Sequence, residues 1–247
     1  MTLLTWALIG ATILFSSFLS GVFGMAGGMV LLGVLLVYLD VGTAMILFSI
    51  IQFFANGWRA VQWWSFIRWR IFWLYCAGGA VSFSALRVIE FVPNKALVYL
   101  LLGLMPFLVE ILPRAARPNI EWRGMPFITG VLTTIVQFMA GVGGVFLDMF
   151  FQKSMLDRKT TLATKAVVQT ASHVLRAVYF FSLGKFGDGL APGPILVAVV
   201  LSMAGSALAP LVIERMTDHG FRQWTRAIIL SISGIYLVRA ATLFWHA

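Results

Sequence analysis

The sequence predicts an all-α integral membrane protein made of two inverted repeats, each a glycine-broken, re-entrant-like helix plus three transmembrane helices. Three observations carry that expectation. The 247 residues are 60% hydrophobic and only 11% charged, whereas a soluble domain carries about 25% charged residues to cover its surface. No charged residue precedes Asp40, and about 20 apolar residues span the hydrocarbon core of a bilayer. Two polar motifs recur in one register: Gly24 returns as Gly141 and Gln52 as Gln169, a spacing of 117 positions in both cases.

The expected helical segments run Thr2–Gly21, Met29–Leu39, Thr43–Ile67, Ile71–Ile89, Lys95–Leu112, Met125–Ala140, Val145–Gln152, Thr161–Leu183, Pro194–Ile213 and Arg222–Trp245. Each is an apolar run bounded by glycine, proline or charge. Trp63, Trp64, Trp69, Trp73, Trp122, Trp224 and Trp245 fall near segment ends, where interfacial belts put tryptophan. The first segment has no Lys or Arg ahead of it, so it reads as a retained helix and not a signal peptide. Pro113 to Gly124 holds two prolines and three arginines and is the natural midpoint. The chain therefore reads as one transmembrane domain, 1–247, with repeat one about 1–113 and repeat two about 124–247.

The net charge of +9 sits in short loops between apolar runs, which sets membrane orientation and does not indicate nucleic acid. The single cysteine, Cys76, lies in an apolar stretch and reads as a packing residue. Charge counting favours chain reversal at each glycine cluster. Reversal puts Arg68, Arg70, Arg114, Arg117, Arg123, Lys153, Arg158, Lys159, Arg215, Arg222 and Arg226 on one side, against Arg87, Lys95, Lys185 and Arg239 on the other. Simple crossing at the clusters divides the same residues almost equally. Three crossings per repeat is an odd number, so the repeats invert and both termini lie outside. Thr2–Gly21 is nevertheless long enough to span by itself.

The repeated motifs carry the chemistry. Gly24-Met-Ala-Gly27 recurs as Gly141-Val-Gly-Gly144, and Gln52-x3-Asn56-x2-Arg59-Ala-Val recurs as Gln169-x3-His173-x2-Arg176-Ala-Val. Spacings of four and three place each polar trio on one helix face. Glycines inside a membrane helix let another group approach the backbone, and a helix starting after the break directs free N–H groups inward, as an anion site requires. Gly27, Gly28, Gly143 and Gly144 are the candidates, with close helix packing as the other reading. Arg59 and Arg176 offer planar donor forks for an oxyanion, although Arg59 stands near enough to a helix end to snorkel. An arginine inside an apolar stretch by default has a partner or faces a substrate path. Asp148 and Lys165 are either a mutual ion pair or a coupling pair. His173, in place of Asn56, makes the two halves unequal and could titrate near neutral pH. No paired His with metal spacing, Gly-x-Ser-x-Gly or phosphate loop occurs, so neither an enzyme nor a cofactor or metal is expected.

At these residues the sequence resembles the sulfite exporter TauE/SafE family, also called the sulfonate uptake permease family. The resemblance extends from Ser20-Gly-Val-Phe-Gly24-Met-Ala-Gly-Gly28 through Gly141-Val-Gly-Gly144 over nearly the whole chain. It departs in the typical triple glycine, here Ala26-Gly27-Gly28 and Gly143-Gly144-Val145, and in a following proline, near which Gly33 and Phe150 stand. The resemblance implies transport of a sulfur-containing anion such as sulfite, a sulfonate or sulfoacetate across a bacterial inner membrane. The expectation is a secondary transporter in which Arg59 and Arg176 neutralise the anion while Gln52, Asn56, Gln169 and His173 donate hydrogen bonds. A passive anion channel and a carboxylate transporter of the same fold are the alternatives. Expected partners are the anion and membrane lipid, with a homodimer an open option.

Overall fold

The computed structural model describes residues 3–23, 25–113, 116–185, 192–213 and 218–245, and among them all regular structure is helical. In chain order the α-helices are α1 (Leu3–Phe23), α2 (Met25–Tyr38), α3 (Val41–Gln62), α4 (Trp69–Val88), α5 (Lys95–Ile111), α6 (Met125–Ala140), α7 (Gly144–Phe151), α8 (Arg158–Ser182), α9 (Pro192–Leu208), α10 (Pro210–Ile213) and α11 (Asp218–Trp245). Four of them are long and apolar enough to cross a membrane: Thr5–Phe23, Val41–Gln62, Trp69–Val88 and Gln223–Trp245. Phe15, Trp73, Val88, Leu196 and Val238 are exposed on the outer helices, as lipid-facing side chains would be. The protein is a multi-pass membrane protein.

Most expected segments coincide with a helix to within a few residues; the differences have local causes. α2 begins at Met25, four residues before its expected start, so Gly27 and Gly28 lie within its first turn. The expected Thr43–Ile67 helix ends at Gln62, and a 3-10 turn covers Trp64–Phe66. The expected Pro194–Ile213 segment divides at Ala209, next to Pro210, whose ring cannot continue a regular turn. α1 has 21 residues, about 31 Å at 1.5 Å per residue, so the first arm matches the length of a full span.

α3 and α8 start in the same way. The Asp40 carboxylate accepts the Thr43 N–H at 3.0 Å, and the Asp157 carboxylate accepts the Thr160 N–H at 3.0 Å. Each N-cap satisfies a first-turn donor that the helix cannot, and the two caps stand in the 117-residue register of the polar motifs. The same shift carries α1 onto α6 and α4 onto α9. α1 packs on α9 and α4 on α6, so one contact occurs twice with the halves exchanged. The other two of the four largest contacts, α3 with α8 and α5 with α11, pair corresponding helices.

α3 and α8 run antiparallel. Thr43 at the start of α3 donates from Oγ1 to the Lys185 carbonyl beyond the end of α8, at 3.4 Å. Past the other end of α3, the Arg68 N–H reaches Thr164 Oγ1 in the first turns of α8 at 3.0 Å. Lys159 lies over the Trp63 and Phe66 rings at 5.7 and 5.5 Å, closing that end. The polar face of α8 is packed between α3 and α4, while Val174, Val178 and Phe181 are exposed on its other side. α2 is interior along most of its length: Ala26, Met29, Leu31, Leu32, Leu35 and Leu36 are buried. Tyr236 donates to the Met29 carbonyl at 2.5 Å and Tyr99 to the Gly33 carbonyl at 2.9 Å, tying α2 to α11 and α5.

Small residues allow the tightest helix contacts, as expected without a hydrophobic drive between apolar helices in lipid. A Cβ on Gly130 of α6 would overlap the Tyr75 carbonyl of α4, and one on Gly78 would overlap the Phe127 carbonyl of α6. Gly234 of α11 has nothing within 4 Å of such a position. Gly130→Ala should therefore lower the stability of the detergent-purified protein by about 1–3 kcal/mol, the usual cost of overpacking. Gly234→Ala should be neutral or raise it by up to about 1 kcal/mol through helix propensity. Thermal denaturation of the pair checks this; equal shifts would mean that α4 and α6 are not held by the close approach.

Candidate functional site

The polar faces of α3 and α8 meet beside the breaks between α1 and α2 and between α6 and α7. There they line a cavity of about 80 Å³ that opens to the outside. Gly28, Gln52, Asn56, Arg59, Gly143, Gly144, Gln169 and His173 line it, as do Asp148 and Lys165. Of the residues singled out in the sequence, Gly27 and Arg176 do not. Gly24 lies outside the described residues. Ser20, Phe48, Tyr75 and Gln137 line the cavity without having been anticipated. Gln137 follows Ser20 by the 117-residue shift, and that register was the signal available for both.

The two glycine breaks are built differently. α6 ends at Gly141, whose φ of 76° is left-handed and whose N–H returns to the Gln137 carbonyl at 2.9 Å. Only glycine adopts this conformation without strain. Val142, Gly143 and Gly144 then pass along the cavity, so the first turn of α7 begins on its wall. First-turn N–H groups have no carbonyl partner within the helix. At the other break Gly28 borders the cavity, with Gln52 Nε2 2.9 Å from where a Cβ would sit. Gly27 instead faces α1: a Cβ there would overlap the Ser16 carbonyl and the Ser20 N–H. Gly27 is a helix contact.

Arg176 and Arg59 correspond in the two halves but have different surroundings. Arg176 is 0% exposed. Its Nε donates to Ser49 Oγ at 2.7 Å, Nη1 to the Gly141 carbonyl, and Nη2 to His173 Nδ1 at 3.1 Å. The guanidinium carbon lies 4.6 Å from the Phe48 ring centroid, a cation–π distance. One side chain thus joins α8 to α3 and to the backbone released at the end of α6. Arg59 is half-buried on the cavity wall. Among the described residues no ion pair or hydrogen bond involves it.

Asp148 of α7 and Lys165 of α8 form an ion pair on the cavity wall. Gln137 Nε2 lies 3.3 Å from His173 Nδ1, beside the contact from Arg176. Tyr75 of α4 makes a 2.7 Å hydrogen bond with Ser172 and accepts one at 2.7 Å from Thr133 of α6. These bonds hold the polar wall against α4 and α6. The arrangement can receive a small anion: a guanidinium, amide and imidazole donors and a helix start converge on one space. Among the described residues no cluster of His, Cys, Asp or Glu could hold a metal.

A family model described as Sulfite exporter TauE/SafE matches residues 9–237 of the chain. No curated protein and no solved structure matches it.

Arg176→Lys keeps a charge but cannot reproduce three bonds in a planar fork. It should leave the Gly141 carbonyl or the Ser49 hydroxyl unmatched and destabilise the protein by about 1–3 kcal/mol, the usual cost of an orphaned buried polar group. Gly27→Ala should also lower the melting temperature while leaving the anion affinity of the folded fraction unchanged. Thermal denaturation with titration of sulfite or methanesulfonate separates the two quantities. Full stability in Arg176→Lys would remove the role given to its three bonds.

Proposed function

Because the chain belongs to the sulfite exporter TauE/SafE family, we propose that it is a secondary transporter moving a small sulfur-containing oxyanion across a bacterial inner membrane. The observation that carries this reading is Arg59, a half-buried cation without a counter-charge among the described residues, on the wall of a polar cavity inside an apolar helix bundle. A buried charge needs a partner, and a mobile oxyanion supplies one when it arrives. Gln52, Asn56, Gln169 and His173 provide hydrogen-bond donors, with the first turn of α7 beside them. The proposed chemistry is binding and release.

The halves are proposed to be inverted copies that rock about the α3–α8 pair, giving access to the cavity from each side in turn. The antiparallel course of α3 and α8 supports this, because corresponding helices point opposite ways. Positive-inside counting places the Pro113–Gly124 connection in the cytoplasm and both termini in the periplasm. The 1–247 stretch then forms one transport unit, with halves of about 1–113 and 124–247.

In proteoliposomes, uptake of labelled sulfite should saturate and be accelerated by the same anion on the opposite side. Arg59→Gln should reduce it about 10–100-fold, since a charged hydrogen bond contributes about 1.5–3 kcal/mol and 1.4 kcal/mol is tenfold. Flux linear in concentration and indifferent to internal anion would make the protein a channel. Wild-type flux in Arg59→Gln would remove this cation from the mechanism. Reporter fusions at Ala247 and in the central connection test the topology; a cytoplasmic C-terminus would exclude inverted halves with periplasmic ends.

A further inference from the structure

Building on the transport reading above, we infer that the cavity is built for an oxyanion of a single negative charge, and that His173 is fixed as an uncharged N–H donor to it. The inference comes from counting charges on the wall. Arg59, Asp148 and Lys165 are the charged side chains among the described residues that line the cavity. Lys165 is paired with Asp148, so those two cancel. Arg176 lies beyond the wall, bonded to Ser49, Gly141 and His173. Among the described residues Arg59 is therefore the one unpaired cation on the wall itself, within reach of a bound anion, while Arg176 keeps its charge behind the wall.

His173 would change that count if it were protonated, but its neighbours oppose this. Arg176 Nη2 lies 3.1 Å from Nδ1, and a guanidinium nitrogen can only donate. Nδ1 is therefore the acceptor, and the ring proton sits on Nε2. Gln137 Nε2, 3.3 Å from the same Nδ1, fits this tautomer. An amide can be turned around, but Arg176 has no accepting orientation, so the assignment rests on the arginine. A second ring proton would have to occupy Nδ1, directly against a cation. Of the charged or titratable groups on the elements around the ring, those that line the cavity with it are Arg59 of α3, Tyr75 of α4, Asp148 of α7 and Lys165 of α8. Asp148 is already matched by Lys165, and Arg176 at Nδ1 disfavours a further positive charge. The imidazole, packed edge-on to Phe48 at 5.8 Å, offers a hydrogen bond and no charge.

A monoanion in this cavity is neutralised by Arg59. A dianion of similar shape leaves one charge without a cation in contact with it, which is unfavourable away from water. Methanesulfonate and sulfate are nearly the same size and differ by one charge, so they read the rule directly. Binding to the purified protein should favour methanesulfonate by roughly tenfold or more. That affinity should stay flat between about pH 6 and pH 8, the range in which a free imidazole titrates. Total sulfite should bind more tightly on acidification over the same range, as bisulfite replaces the dianion.

Asp148→Asn releases Lys165 and adds one positive charge to the wall, so it should shift the preference toward sulfate. Equal or tighter binding of sulfate by the native protein would overturn the inference. So would an unchanged methanesulfonate-to-sulfate ratio in a folded Asp148→Asn protein, or methanesulfonate binding that strengthens as the pH falls. Lactate and malonate, of similar size and one and two charges, separate this inference from the sulfur reading. Preference for lactate with no response to any sulfur anion would keep the single-charge rule and remove the sulfur substrate. No response to any of these anions would remove both.

Discussion

A helix that stops inside an apolar bundle leaves carbonyl groups with no water to bond, and in this protein a buried guanidinium answers that need. α6 ends at Gly141, and Arg176 reaches from α8 to the Gly141 carbonyl while also holding Ser49 of α3 and His173 of its own helix. Irregular backbone is tolerated within a membrane only where it is buried in protein or lines a cavity. The segment after Gly141 does both, with Arg176 behind it and the cavity in front. The start of α7 and the orientation of the His173 ring both depend on this contact.

The second constraint is that α8 could not remain in lipid alone. Its face of Gln169, His173 and Arg176 is covered by α3, whose own polar face opposes it, and by α4 through Tyr75 and Ser172. The outward sides of the pair are apolar, with Phe54 and Trp58 of α3 and Val178 and Phe181 of α8 exposed. Polar residues therefore concentrate at one place, and the space left between them is the cavity. Close packing at Gly27, Gly78 and Gly130 brings the surrounding backbones together.

Much of this was legible in the sequence because helical spacing is local. Intervals of four and three were enough to put Gln52, Asn56 and Arg59 on one face and Gln169 and His173 on another. The glycine clusters were legible only as breaks. Gly27 and Gly144 look alike in the sequence, yet Gly27 meets the backbone of α1 and Gly144 meets the cavity; helix register and neighbours distinguish them. Arg176 looked like a ligand group because a charge within an apolar run advertises itself, while its partners Ser49 and Gly141 come from distant helices. Tyr75 and Gln137 escaped notice for the same reason. The paired N-caps, Asp40 with Thr43 and Asp157 with Thr160, were readable from the 117-residue register and extend it beyond the motifs first seen.

The unequal surroundings of Arg59 and Arg176 bear on how such a chain could arise. Two identical halves assembled as a symmetric dimer would place both arginines in the same environment. With both engaged by backbone, the cavity would have no cation; with both free, no guanidinium would hold the released carbonyls. Joining the copies in one polypeptide removes that dilemma, because each copy can then accumulate its own substitutions. Ser49 against Ala166 and Asn56 against His173 are such divergences, and both lie next to Arg176. On the proposed reading of inverted halves, fusion is more than a convenience of expression: it permits an odd number of charges on the wall of a site built from an even number of parts.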